Sequence, residues 1–220
     1  QDPCTVDSCG ADGTCLYDTT GAAGCCGTLV MNQGFDEGFL GTWSVQDTSV
    51  TKTGVIWNVS DTLSVAPNSL LYFGNPDALN FDGEGDVVSS NVTSGSIQIP
   101  SAASATLTFQ VFVDTESGND WDTLQAFVVL NNVPTVVWTK ADAGGTTGQQ
   151  FVSATADVSA WAGQTVQIRF RFDSVDPLAN DGEGVYIDDV QISTVCGDAA
   201  QGQRFPTLWG VWGSDADNVF

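Results

Sequence analysis

This sequence predicts an all-β fold, a two-sheet antiparallel sandwich, on three observations. Two long stretches alternate with period two. SATLTFQVFVD (104–114) places Leu107, Phe109, Val111 and Val113 on one face, and TVQIRFRFD (165–173) does the same with Val166, Ile168, Phe170 and Phe172. Gly, Asn and Asp clusters separate these and other short apolar runs, as turns between strands do. No apolar period of 3.6 persists long enough for an amphipathic helix, and only DVSAWAG (157–163) has room for a helical turn.

Taken in order, the chain divides into three parts. Residues 1–27 hold five of the six cysteines and almost no large apolar side chains, so this segment needs stapling rather than a core. Residues 28–196 are the globular body. Its strand candidates are TLVMN, GVIWNV, SLLYFG, SGSIQIP, the stretch 104–114, LQAFVVLNN, PTVVWTK, QQFVSATADV, the stretch 165–173 and GVYIDDVQIS, for ten to twelve strands in all. Residues 197–220 form a tail whose FPTLWGVW (205–212) is too apolar to be left in water. It reads either as an interaction strand, able to join identical chains into a homo-polymer, or as the start of a following repeat.

Charge narrows the partners. The chain carries 27 acidic against five basic residues, no His, and a net charge of −22. Nucleic acid and anionic membranes need a basic patch and are excluded as partners. No run of 18 apolar residues offers a membrane-crossing helix. Without His, Ser-His and Cys-His nucleophiles are ruled out, and the reading is of a non-enzyme. A chain opening on Gln1 reads as a processed or excised product.

Six cysteines without paired knuckles or His argue for disulfides in an oxidising, secreted setting rather than zinc. Cys26 and Cys196 bracket the body and are expected to pair. Cys4, Cys9, Cys15 and Cys25 then pair among themselves. Three arrangements exist, of which Cys4–Cys15 with Cys9–Cys25 is favoured.

The motifs GFDEGFLGTW, SLLYFGNPD, VDTESGNDWDTL, VVWTKADAGGTTGQQF, VSAWAGQTVQIRFRFDS and NDGEGVYIDDVQIS, in that order and followed by Cys196, resemble the bacterial MAM-like jelly-roll domains. Those domains accompany secreted surface proteins and peptidases of the immune inhibitor A type. The Cys-rich start resembles repeats of large secreted bacterial proteins. The resemblance implies a jelly roll on the bacterial cell surface, often calcium-stabilised, serving adhesion or acting as a carbohydrate- or substrate-binding accessory domain. Its partners would be other extracellular protein subunits or surface glycans.

Asp outnumbers Glu by 23 to four, and Asp suits both turns and hard cations such as Ca2+. An acidic surface selected for solubility or salt is the other reading. Jelly rolls of this type use an acid from the first strand and one from the last. This implies Asp188 with Asp36 or Glu37, completed by a carbonyl or Asn75. By strict alternation Asp188 shares a face with Tyr186, Val190 and Ile192, and Asp189 with Val185, Ile187 and Gln191. A second acidic set comprises Asp114, Glu116 and Asp122 in one loop and Asp181 in another. Those loops meet at one end of the sandwich if their strands are adjacent, and otherwise diverge into solvent. Finally, Gln110, Phe112, Gln125, Phe127, Gln167, Arg169 and Arg171 alternate away from the core. Arg169, Arg171 and Phe112 are the candidates for a glycan or acidic ligand, against the plainer reading that the arginines pair with nearby Asp.

Overall fold

The computed structural model describes residues 5–9, 15–19, 29–61, 69–102 and 104–195. Fourteen strands lie in these residues: β1 (Thr5–Cys9), β2 (Cys15–Thr19), β3 (Leu29–Gln33), β4 (Ser44–Asp47), β5 (Ile56–Ser60), β6 (Leu70–Gly74), β7 (Ser89–Thr93), β8 (Ile97–Gln98), β9 (Ser104–Asp114), β10 (Thr123–Leu130), β11 (Val133–Thr139), β12 (Val152–Asp157), β13 (Thr165–Asp173) and β14 (Gly184–Val195). β1 and β2 pair antiparallel, with Cys9 opposite Cys15 in backbone register. Each expected disulfide, Cys26–Cys196, Cys4–Cys15 or Cys9–Cys25, involves a cysteine outside the described residues, as does the apolar stretch 205–212.

The other twelve strands build the two-sheet antiparallel jelly-roll sandwich. One sheet runs β12–β9–β14–β6–β5, with β3 also on β14. The second runs β11–β10–β13–β7–β4, with β8 also on β13. The long alternating strands sit inside these sheets because their apolar faces are the most continuous. Leu107, Phe109, Val111 and Val113 of β9 meet Val166, Ile168, Phe170 and Phe172 of β13 in one core. Aromatic rings interlock across it. Phe73 lies 4.3 Å from Phe172 and Phe109 5.1 Å from Phe170 between ring centroids, while Trp43 stacks on Phe170 at 6.0 Å. Each ring so buried contributes about 2–3 kcal/mol relative to an exposed one.

Two strands carry no apolar pattern. β4 (SVQD) and β7 (SSNVT) have one large apolar side chain each, Val45 and Val92, yet every residue of β7 is buried. Its hydroxyls make this tolerable. Ser89 Oγ donates to the Phe172 carbonyl at 3.2 Å and Ser90 Oγ to the Gln46 carbonyl at 3.1 Å. The Asn91-Val92-Thr93 triplet lies within this strand, and Asn91 is only 9% exposed, so the fold shields this glycosylation-type sequence. A 3-10 turn does form at Ser159–Trp161, as expected, and a second forms at Lys140–Ala143.

Strict alternation fails in β14. Asp188 pairs with Gln110 of β9, but the next pair is Gln191 with Thr108, so three steps on one strand match two on the other. Asp189 supplies the extra residue, with φ +49°, a left-handed conformation that Asp tolerates better than most side chains. The bulge reverses the facing of everything after it. Val185, Ile187, Val190 and Ile192 therefore all enter the same core, whereas Tyr186 lies on the outer side in a separate cluster with Leu70, Tyr72 and Phe112. The expected grouping of Tyr186 and Asp188 with Val190 and Ile192 is thereby corrected.

Candidate functional site

Main-chain amides occupy many of the carboxylates. Asp47, Asp82, Asp157, Asp173 and Asp176 each accept the N–H two residues on, at 2.8–3.0 Å. This local ring suits Asp's one-carbon arm, so loop geometry accounts for much of the excess of Asp over Glu.

The two acidic loops do converge. β9 and β14 are neighbours in one sheet and β10 and β13 in the other, so the segments 115–122 and 174–183 cross between sheets at the same end. Glu183 N–H donates to Asp114 Oδ2 at 3.0 Å and Asp122 N–H to the Ser174 carbonyl at 3.4 Å. Gly182 passes so close to Asp114 that a Cβ there would sit 2.5 Å from its carbonyl oxygen, which reserves the position for glycine.

The cation at this end is Lys140, which sequence reasoning missed. The side chain is 2% exposed, and its Nζ donates to the Trp121 carbonyl at 2.7 Å, the Glu116 carbonyl at 3.1 Å and Thr115 Oγ1 at 3.4 Å. Burial lowers its pKa, while the charges of Asp122 and Glu116 work the other way. Asp122 is fully buried. Its Oδ2 accepts Glu116 N–H at 2.7 Å and its Oδ1 has no partner. Burial pushes its carboxyl up to about 6. The Glu116 N–H and the Lys140 charge oppose this, and the charges of Glu116 and Asp176 add to it. Asp114 and Asp122 hold main-chain amides, Asp181 is exposed, and among the described residues no three acidic, Cys or His side chains form a metal-binding group.

Asp36 and Asp188 do come together. A Cβ on Gly34 would lie 2.9 Å from Asp36 Oδ2 and 3.7 Å from Asp188 Oδ1, so both carboxylates flank this one residue beside the bulge. Asp188 is partly buried and pushed up to about 6, first by burial and then by the charges of Asp189 and Asp36, against the hydrogen bond from Asp189 N–H. Glu37 is exposed. Asn75 does not complete the pair. Phe73 is opposite Val185 and Leu71 opposite Ile187. The register therefore puts Asn75 beside residue 183, roughly 17 Å along the strand from Asp188. Its Oδ1 instead accepts the N–H groups of Asp77 and Ala78.

The expected polar face splits in two. Gln110 and Phe112 belong to the first sheet, and Phe112 is 1% exposed against Tyr186 and Phe151, so it cannot contact a ligand. Gln125, Phe127, Gln167, Arg169 and Arg171 share the outer face of the second sheet. There the register forms two rows, Gln125–Arg171–Asn91–Gln46 and Phe127–Arg169–Thr93–Ser44. Arg171 forms an ion pair with Asp173, while Arg169 Nε donates to Thr93 Oγ1 at 3.0 Å.

Two packed antiparallel sheets of this kind define a β-sandwich of the jelly-roll class. The K1 cleaved adhesin domain of Lys-gingipain from Porphyromonas gingivalis W83 shares this fold with a TM-score of 0.52 and 15% identity, over 76% of this chain and 99% of that one. The K3 cleaved adhesin domain of the same protein gives 0.49 at 13% identity, over 76% and 99%. The CBM22-1 xylan-binding domain of Xyn10C from Paenibacillus barcinonensis gives 0.47 at 13%, over 80% and 99%. No protein-family model matches the chain, and no curated protein matches it in sequence.

Asp122 and Asp188 set a pH dependence. Both carboxyls ionise near pH 6 in the fold, against 3.8 for a free Asp. Between those values the native state holds more protons than the unfolded chain, so stability falls as pH rises through the window. Urea denaturation at matched ionic strength should give a more stable protein at pH 5 than at pH 7. The difference should shrink in Asp122→Asn, which has no proton to lose. An unchanged or lower stability at pH 5 contradicts this account.

Proposed function

We propose that this chain is a non-catalytic, secreted adhesion and binding module of MAM-like character, displayed at a bacterial surface. It contacts surface glycans through the outer face of the β10–β13–β7–β4 sheet. The observation that carries this reading is the pair of cross-strand rows centred on Arg171 and Arg169. Their Gln and Arg side chains offer donors and acceptors on a backbone held rigid by the aromatic core beneath. Saturable binding to at least one oligosaccharide of a surface-glycan panel is expected. Gln125→Trp, which obstructs the face from an outward position, should weaken it at least tenfold. Absence of binding across the panel, or binding indifferent to Gln125→Trp, counts against the face.

Calcium belongs to the same reading, at Asp36 and Asp188. Two carboxylates at one glycine, with no basic side chain among the described residues paired to either, fit a hard cation. Calcium takes six to eight oxygens, so main-chain carbonyls and water supply the remainder. The ion would pin the segment after β3 to β14. At a hundredfold excess over Kd it would add about 2.7 kcal/mol, or about 5–10 °C in Tm for a domain of this size. Calorimetry should therefore show a lower Tm after chelation, and Asp188→Ala should abolish the difference. An identical melt before and after chelation, with no metal by elemental analysis, refutes the site.

A second reading, a self-assembling structural subunit, is favoured by one observation. β4 and β5 end their respective sheets, and between them runs a groove of about 360 Å3 lined by Phe39, Leu40, Val45, Ile56, Trp57 and Val59. Open strand edges beside an apolar slot accept an added strand, and FPTLWGVW is the segment of suitable chemistry. If so, sedimentation should show association that is lost on removing residues 203–220 while the body stays folded. Equal association of both chains, or a strictly monomeric intact chain, eliminates this reading.

A further inference from the structure

The five basic side chains are distributed unevenly in their partners. Lys140 is saturated by three oxygens, Lys52 pairs with Asp47 at 3.4 Å, Arg171 pairs with Asp173, and Arg204 lies outside the described residues. Arg169 differs. Its Nε meets Thr93 Oγ1, and among the described residues its two terminal nitrogens meet neither an acceptor nor a carboxylate. In a chain with 27 acidic side chains, a guanidinium left without one, in the interior of a sheet, has bonding capacity to spare.

The residues beside it are also incompletely bonded. Arg171 Nε and Asn91 Oδ1 are both buried without a partner, and Asn91 is opposite Arg171 in register, one row from Arg169. Asn91 is only 9% exposed, so its unused oxygen is costly to leave unmet. Both unpartnered atoms are closed off from solvent, so the capacity a ligand can reach in this area is that of the half-buried Arg169. Phe127, the cross-strand neighbour of Arg169, is 9% exposed and offers little ring surface for stacking. Recognition here must come from hydrogen bonds.

We infer that this face selects a glycan bearing an isolated carboxylate, a uronic acid residue within an otherwise neutral chain, with Arg169 as the carboxylate ligand. The inference rests on reading the face as a glycan-binding surface. A uronate supplies the missing chemistry, with carboxylate oxygens for the terminal nitrogens of Arg169. A guanidinium binds a carboxylate through two parallel N–H···O bonds, which fixes orientation as well as charge. Asp173, held by Arg171, repels a carboxylate on its own side and leaves Arg169 as the favourable position. A dense polyanion is disfavoured, because a net charge of −22 repels it over the roughly 8 Å that physiological salt allows. A single carboxylate on a neutral chain meets little of that repulsion.

The test is isothermal titration of the full chain with oligosaccharides that each carry one glucuronate or galacturonate, and with the carboxyl-reduced counterpart of each. At least one uronate form should bind at least tenfold more tightly than its reduced counterpart. Arg169→Gln should erase the difference between the two members of the pair, and Arg169→Lys should restore part of it. Circular dichroism confirms that the variants are folded. Equal affinity for both members of every pair overturns the carboxylate inference and leaves the glycan reading standing, whereas no binding by any member overturns both.

Discussion

Main-chain amides stand in for the basic side chains this protein lacks, and the loops depend on that substitution. With 27 acidic and five basic residues, ion pairing cannot neutralise the surface. The short aspartates close on N–H groups two residues ahead, Asp122 holds the Glu116 amide within its own loop, and Asp114 holds the Glu183 amide of the other crossing loop. An amide N–H favours a carboxylate's anionic form without a counter-charge, and at Asp122 burial outweighs it. The same bonds fix the turns that let long strands enter the sandwich at a defined register.

Where packing imposes a period, the sequence was legible. β9 and β13 alternate without interruption, so their inner faces are legible residue by residue, whereas the meeting of the acidic loops stays open in the sequence, because strand adjacency has no signature in the alternation. β7 was not legible, because a strand buried through Ser, Asn and Thr has the composition of a loop, and its hydroxyl bonds are visible only in three dimensions. The pattern in β14 was misread for a related reason. A single bulged residue, Asp189, shifts the period by one, and alternation carried across it assigns every later side chain to the wrong face.

The candidate sites show the same division. Asp36 and Asp188 were paired on family resemblance and do meet at Gly34. Asn75, the residue expected to complete the pair, does not join them, because the β6–β14 register places it at the far end of that ladder. Phe112 was grouped with Arg169 and Arg171 because all three alternate outward. Alternation says which side of its own sheet a residue takes, not which sheet, and the two sheets turn their outer faces in opposite directions. Lys140 gave no signal at all, since one lysine in a polar loop belongs to no periodic pattern.

A cation carried on the chain behaves differently from one taken from the medium. The ammonium of Lys140 is delivered with the polypeptide, in one copy per molecule, and no dilution, chelator or competing ion can remove it from among the oxygens of Thr115, Glu116 and Trp121. The loop it closes is therefore indifferent to ion supply once folded, and its only exchangeable particle is the proton. That end of the sandwich keeps one shape across conditions in which a divalent site in the same position would fill and empty.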